Sequence, residues 1–87
     1  MTKTSPEYLT LARLATGEVA SVLGLDVSPE LHKRLAALGI QVGKAVKVIR
    51  RGAFGGPIHV RVGMTEVVLR RKDAGQITVA HPQALAA

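Results

Sequence analysis

Apolar and polar residues alternate along the second half of the chain with the period of two that is typical of half-buried strands. Ile58, Val60 and Val62 alternate with polar residues, so one face is apolar and the other is basic. Similar short runs predict four more strands, with Gly24 at a bulge in the first, and residues 9–14 are expected to be a short helical or irregular segment. The predicted strands cover residues 18–25, 44–51, 58–62, 65–70 and 76–79.

A different spacing predicts one α-helix near the middle of the chain. Ser28 is a favourable N-cap, and Pro29 suits the first helical position. Three leucines then recur about one helical turn apart and form a single apolar stripe: Leu31, Leu35 and Leu38. Gly39 follows this stripe and is expected to end the helix in a left-handed conformation, with Ile40 folding back on the last turn.

The two predicted strands on either side of Gly63 form a hairpin with a defined register. Glycine can adopt the positive φ that a tight hairpin turn requires. A two-residue turn beginning at Gly63 places Val60 opposite Val67 and Arg61 opposite Glu66. This register gathers the valines on one face of the hairpin and sets opposite charges side by side on the other face.

Together these elements predict a mainly β protein, a small SH3-like β-barrel of about five strands with one α-helix between the first two strands. Closing the sheet into a barrel would remove the exposed edges that short strands otherwise present to other chains. A chain of 87 residues is long enough for one domain with a limited core. We expect a loose segment at 1–8, the folded domain at 9–80 and a flexible tail at 81–87.

The composition limits the chemistry that the chain can perform. There is no cysteine, which excludes disulfides, thiolate zinc sites and cysteine nucleophiles, and the aromatic residues are only Tyr8 and Phe54, so the core must be aliphatic. The sequence contains no paired-carboxylate motif, no Ser-His-Asp order and no phosphate-binding loop. We therefore expect a binding protein rather than an enzyme, with no catalytic residues and no cofactor.

Positive charge is concentrated in the β-rich half of the chain. The net charge is +6, and residues 44–72 hold eight basic residues against one acid, Glu66, which gives that segment a charge of +7. Such a surface favours an anionic partner, which could be nucleic acid, the inner leaflet of a membrane or an acidic protein. The alternative is that these side chains are only the solvated faces of a small barrel.

The sequence also bears on where the protein works. The absence of cysteine suits a reducing cytosol, and residues 1–14 lack the apolar core of a secretion signal. No apolar run approaches the ~20 residues that are needed to span a bilayer. We therefore expect a soluble cytoplasmic protein, with only peripheral contact with a membrane.

With these elements in place, the chain resembles the ferrous iron transport protein A (FeoA) family. The resemblance rests on an ordered set of residues with its spacing intact, and no single motif in the set is specific. The set comprises Leu11, Leu14, Gly17, Lys33, Arg34, Leu35, Leu38, Gly39, Gly43, Val46, Val48, Gly55, Gly56, Pro57, Val60, Val62, Gly63, Leu69, Arg70, Ala74 and Ile77. The chain departs from the family pattern at Val42, where proline often precedes the glycine, and this affects a turn but no chemistry.

The resemblance implies a small accessory or regulatory protein of bacterial ferrous iron uptake. The implied partner is FeoB, a large membrane permease with a GTP-binding domain, and contact with its cytoplasmic side would recruit the protein to the inner face of the membrane. A similar domain ends some metal-dependent repressors, so a metal-sensing regulatory domain is an alternative, because a fold alone does not determine function.

The loop at 52–57 is the first candidate for partner binding. Phe54, followed by Gly55 and Gly56, could present an exposed aromatic anchor, and aromatic side chains often dominate the binding energy of interfaces. The alternative is that Phe54 folds under and caps an open end of the barrel, while the glycines only permit the turn.

Two further surfaces are candidates. Lys33 and Arg34 match the family pattern on the polar face of the helix, which could equally be a solvated face over the leucine stripe. The other is a basic surface that comprises Arg50, Arg51, Arg61, Arg70, Arg71 and Lys72. Three of its arginines are expected to give electrostatic support to partner binding: Arg50, Arg61 and Arg70.

Nucleic acid and metal are weaker alternatives. A basic barrel could bind RNA or DNA through phosphate contacts, but single-strand binders usually stack bases on several aromatic side chains, and two aromatics argue against this. The three histidines, His32, His59 and His81, have no helical spacing that would bring two of them together, so no metal site is expected.

Overall fold

The structure, a computed structural model, describes residues 8–80, and over these residues the chain forms one antiparallel sheet of six strands. The strands are β1 (Tyr8–Thr10), β2 (Val19–Leu25), β3 (Ala45–Arg51), β4 (Ile58–Val62), β5 (Thr65–Leu69) and β6 (Ile77–Ala80). The helices are α1 (Pro29–Ala37) and the single turn α2 (Arg71–Ala74), and two 3₁₀ turns lie at Leu11–Arg13 and Ala53–Gly55. The segments expected to be loose, 1–8 apart from Tyr8, and 81–87 lie outside the described residues.

The sheet is open, so the prediction of a closed barrel was wrong. The strand order is β1-β6-β2-β3-β4-β5, which leaves β1 and β5 as edges that do not pair with each other. The 3₁₀ turn at Leu11–Arg13 contacts α2, and both bring buried aliphatic side chains to the core. The core is therefore covered at this side by helical turns rather than by a ladder of backbone hydrogen bonds.

The position of the helix also differs from the prediction. α1 lies between the second and third strands, because the segment expected to be helical or irregular begins with the short strand β1. β1 pairs with β6 through only three residue pairs, from Tyr8 opposite Ala80 to Thr10 opposite Thr78. A strand of three residues is too short to show a period of two in the sequence, and a distant strand determines its conformation.

The predicted ends of α1 are confirmed. The hydroxyl Oγ of Ser28 accepts a hydrogen bond from the backbone N–H of Leu31 at 3.2 Å, and Pro29 is the first helical residue. Gly39 has a φ of +99°, and the N–H of Ile40 donates to the carbonyl of Leu35 at 2.9 Å, which folds Ile40 back into the core. These contacts satisfy backbone groups that a helix end otherwise leaves without partners.

The β4–β5 hairpin has the predicted register. Val60 lies opposite Val67 and Arg61 lies opposite Glu66. Gly63 has a φ of +61°, and it is the only residue of the two-residue turn with a positive φ, which is the pattern of a type II′ turn. The turn therefore determines which residues of β5 form backbone hydrogen bonds with β4.

Two bulges change the alternation of side chains. The register of β2 against β6 shifts between Val22 and Gly24, as predicted for that strand. The register of β3 against β4 shifts between Val48 and Arg50, so Ile49 is an extra residue in β3. If Ile49 were instead paired in a regular ladder, Arg50 would follow Val46 and Val48 into the core.

The core is aliphatic, as the composition requires. It lies between the inner face of the sheet, α1 and the helical turns, and its buried hydrophobic residues form one contiguous cluster. The largest of its fully buried side chains are Leu11, Leu14, Leu35, Ile40, Ile58, Ile77, Val22, Val46, Val48, Val60 and Val79. Among residues 8–80, none of the helices has the length and hydropathy to cross a bilayer.

Candidate interaction surface

The loop between β3 and β4 is closed by its own backbone. The N–H of Gly52 donates to the carbonyl of Pro57 at 2.8 Å, and the N–H of Gly56 donates to the carbonyl of Ala53 at 3.0 Å. A Cβ atom on Gly52 would lie 3.0 Å from that Pro57 oxygen and 3.1 Å from the Cα of Gly56. A side chain at position 52 would therefore force the two backbone segments apart, which favours glycine there.

Phe54 stands at the apex of this loop in an unusual conformation. Its φ of 56° and ψ of 42° are left-handed, and it is the only non-glycine residue with a positive φ among those described. A bulky residue in this region costs on the order of 1 kcal/mol. The side chain is fully exposed, at 106% of the reference area, so it does not cap an end of the sheet.

The outer face of β3, β4 and β5 is basic. The strand register aligns Lys47, Arg61 and Glu66 in one row, and Arg50, His59 and Val68 in the next. We call these six residues the outer face. Three cations and one carboxylate therefore lie on it, and Arg50 and Arg61 are two of the cations.

Arg61 lies between a like charge and an opposite charge. Its Nη2 atom donates to the Oε2 atom of Glu66 at 2.8 Å, and both side chains are about half exposed. The hydrogen bond from Arg61, followed by the charge of Arg61, holds the pKa of the Glu66 carboxyl below its usual range. Lys47 is directly opposite Arg61 on its other side, and like charges in that position repel each other. An anion bound over this pair would relieve the repulsion.

A second group of cations lies at the end of β5, close to the Phe54 loop. β4 begins where β5 ends, since Ile58 is paired with Leu69, so α2 emerges beside the loop. The Cδ atom of Arg71 is 3.8 Å from the place of a Cβ atom on Gly55. Arg70 and Lys72 are exposed on either side of Arg71. The sequence grouped Arg71 with the basic surface, but only the pairing of the strands brings it to a loop sixteen residues away.

Arg51 does not belong to this basic surface, although the sequence grouped it there. The bulge at Ile49 turns Arg51 towards the inner face, opposite the buried Ile58. Its Nη1 atom donates to the carbonyl of Leu14 at 2.7 Å, where both groups are partly buried. Arg51 therefore joins β3 to the segment that follows the first 3₁₀ turn.

Replacing Arg51 with methionine is expected to lower the free energy of unfolding by about 1–2 kcal/mol, because the partly buried Leu14 carbonyl loses its charged donor. Methionine keeps an unbranched apolar stem at this position. Arg50→Met is the matched control, since Arg50 is exposed, and it should change stability by less than about 0.5 kcal/mol. Urea unfolding of both variants measures the difference, and equal losses would contradict a structural role specific to Arg51.

The helix residues lie on a different part of the molecule. Lys33 and Arg34 are exposed on α1, which packs through Leu35 against the buried side of the sheet. Arg34 and Arg70 both line a cleft of about 320 Å³ between α1 and β5. Arg34 therefore borders the same cleft as Arg70 and as Val68 of the outer face, whereas Lys33 is not among the residues that line this cleft.

No metal centre is evident in the described part of the chain. Residues 8–80 contain no cluster of three or more His, Asp or Glu side chains that could hold an ion. His32 lies on α1 and His59 lies on the outer face between Arg50 and Val68, while His81 is outside the described residues.

Comparison with known proteins places these surfaces on a familiar domain. The family model for the FeoA domain matches residues 9–81, which include every residue of the ordered set that carried the resemblance. A fusion of Fe(2+) transport protein A with the Fe(2+) transporter FeoB, from Porphyromonas gingivalis (strain ATCC BAA-308 / W83), is 30% identical over 69 residues. That match covers 79% of this chain but only 8% of the fusion protein.

Two solved structures share the fold at similar identity. The FeoA protein of Chlorobium tepidum has a TM-score of 0.81 and 32% identity, with 85% of this chain and 70% of that chain covered. The zinc complex of FeoA from Stenotrophomonas maltophilia, described as a prokaryotic SH3 domain protein, has a TM-score of 0.70 and 31% identity. The match covers 82% of this chain and 88% of that chain. This similarity agrees with the SH3-like part of the predicted fold.

Proposed function

Because the chain belongs to the FeoA domain family, we propose that it is an accessory and regulatory protein of bacterial ferrous iron uptake. It acts by binding the cytoplasmic side of the FeoB-type GTP-binding permease, and this contact recruits it to the inner face of the membrane. Binding regulates the permease by favouring one of its conformational states, which requires contacts that differ between those states.

The observation that carries the proposal is the fusion of a related domain to FeoB in one polypeptide. Joining two modules keeps each at a high effective concentration near the other, so fusion is productive when the modules work together. The present chain corresponds to a small part of that fusion protein, so the transport activity belongs to the partner in this proposal.

The Phe54 loop supplies the anchor of the proposed contact. Its aromatic side chain is fully exposed and held in a conformation that costs energy, which supports a role outside the folding of the domain. Burying a phenylalanine side chain in a pocket of the partner contributes about 2 kcal/mol. Gly55, with a φ of +74°, and Gly56 keep side chains away from the flanks of this anchor.

The outer face supplies electrostatic attraction. Arg50 and Arg61 lie on it, and Arg70 lies at the end of β5 beside the loop. Complementary charge raises the rate of association and selects an acidic partner surface more than it adds affinity. Lys33 and Arg34 form a second, smaller contact in this proposal, since they lie on α1 and not on the sheet.

The test is binding of the purified protein to the cytosolic region of a co-encoded FeoB-type permease, measured by calorimetry at two salt concentrations with RNA as competitor. We expect saturable binding that RNA does not displace and that weakens moderately with salt. Absence of binding to the permease, together with tight and salt-sensitive binding to RNA, would replace this proposal with a nucleic-acid-binding module of the same fold.

A further inference from the structure

Strand β5 leaves the backbone groups of one edge free in the described part of the chain. It pairs only with β4, and the two-residue turn at Gly63 makes Val67 and Leu69 exchange hydrogen bonds with that strand. The N–H and C=O groups of Glu66 and Val68 therefore point away from β4. Such a free edge can accept a further strand.

The helix beside this edge does not cover it. The cleft of about 320 Å³ separates α1 from β5, and it is lined by Leu31 and Leu38 on the helix side. Val68 is 57% exposed on the outer face, at the edge of the sheet. Strand β5 thus combines free backbone groups with exposed apolar side chains, and the cleft beside it is open.

The side chains along this edge are self-complementary, so those of one copy can pair with the same set of residues on a second copy. Glu66 and Arg70 lie two residues before and two residues after Val68, and all three are exposed. We propose that a second copy of this chain pairs with β5 in an antiparallel β5–β5 seam centred on Val68. This register places Val68 against Val68 of the second copy, and Glu66 against Arg70 of the second copy on both sides of the two-fold axis.

The charged groups that would meet in this seam can each form a further ion pair. Glu66 uses Oε2 for Arg61, whereas its Oε1 atom makes no hydrogen bond to any described residue. Arg70 forms no ion pair within residues 8–80. Charges on an edge strand usually oppose pairing between chains, but here their signs and spacing fit a two-fold symmetric arrangement.

The backbone supports the same register. Val68 exchanges two hydrogen bonds with Val68 of the second copy, and the N–H of each Arg70 donates to the carbonyl of the opposing Glu66. The carbonyl of Arg70 already accepts the N–H of Ala74 at 3.0 Å, which ends the ladder at this residue. The seam is short, so the dimer is weak and forms at high protein concentration. Each copy carries a net charge of +6, so physiological salt is needed to screen the repulsion between the copies.

Sedimentation of the full chain over a concentration series tests the seam. The wild type should pass from monomer to dimer, and Arg70→Glu should weaken the dimer at least about tenfold, because two attractive pairs become two repulsive pairs. The double reversal Glu66→Arg with Arg70→Glu should restore the affinity to within about threefold. Lys72→Glu is the control, with the same change of charge on a neighbouring residue outside the seam.

Amide hydrogen exchange gives an independent result at single residues. The Val68 amide should exchange quickly in the monomer and become protected as the concentration rises, whereas the Val67 amide is protected throughout. A protein that remains monomeric up to millimolar concentration would overturn the proposal. A dimer that Arg70→Glu leaves intact, with the Val68 amide still unprotected, would also overturn it. Circular dichroism shows that each variant is folded.

Discussion

Phe54→Ala is expected to weaken binding to the cytosolic region of the permease by about 30-fold, which corresponds to about 2 kcal/mol. The reason is that Phe54 presents the largest exposed apolar side chain next to a cluster of cations. Titration calorimetry with the wild type and the variant measures this change directly.

The same substitution should leave the fold intact. Phe54 contributes nothing to the buried core, and its left-handed conformation is unfavourable for any residue with a Cβ atom. Phe54→Gly should therefore raise the free energy of unfolding by up to about 1 kcal/mol while losing binding as Phe54→Ala does. A loss of affinity accompanied by a gain in stability cannot be caused by unfolding.

Met64→Ala is the matched control for the anchor. Met64 is 99% exposed in the turn between β4 and β5, at the opposite end of these strands from Phe54. Its removal should change affinity by less than about threefold. If the Phe54 and Met64 variants bind equally well, the anchor lies elsewhere, and the basic outer face becomes the main contact.

Leu35→Ala is expected to lower the free energy of unfolding by about 3 kcal/mol, the largest effect on stability that we predict. Leu35 is only 1% exposed and is the residue through which α1 joins the core. Its truncation removes favourable burial and leaves a cavity in a close-packed region. For a domain of this size, the loss is a large share of a total of about 5–15 kcal/mol.

Leu38→Ala on the same helix shows whether that cost comes from the core. Leu38 is 37% exposed and lines the cleft beside β5, so its truncation should cost less than about 1 kcal/mol. Urea denaturation, with equal m-values for the two variants, makes the comparison. Similar losses at both positions would mean that the helix is stabilised along its whole stripe and not chiefly at Leu35.

The elements that the sequence predicted well are those determined by neighbouring residues. The N-cap at Ser28 and the left-handed Gly39 act within α1 itself, and the turn at Gly63 sets the register of the strands joined to it. In these cases the residues that determine a conformation lie within a few positions of it, so a local pattern is sufficient.

Features that depend on distant contacts were missed. β1 is defined by its pairing with β6, and the open sheet follows from helical turns that meet across the core. The position of Arg51 depends on a bulge opposite His59 and on the carbonyl of Leu14. None of these contacts leaves a periodic signal in the segment that it shapes.

The candidate site was predictable only in part. The sequence identified the glycine-rich loop and the basic strands. It did not decide whether Phe54 is exposed or folded under the sheet, because a small loop of the same composition can direct an aromatic side chain either way. Two consecutive left-handed residues, Phe54 and Gly55, determine the outward direction. The contact of Arg71 with the loop required knowledge of which strand ends lie side by side.

The bulge at Ile49 means that β3 holds one residue more than its ladder with β4 uses. A substitution at Ile49 or Arg50 keeps the number of residues between the two paired positions, so Arg51 still points to Leu14. Pairing Ile49 in a regular ladder would exchange the directions of the two arginines and drive the guanidinium of Arg50 into an aliphatic core, whereas deleting Ile49 would remove the bulge and leave both arginines on their present faces. The strand therefore carries a spare residue, and the loss of one residue at this point is a change of length that alters no side-chain direction.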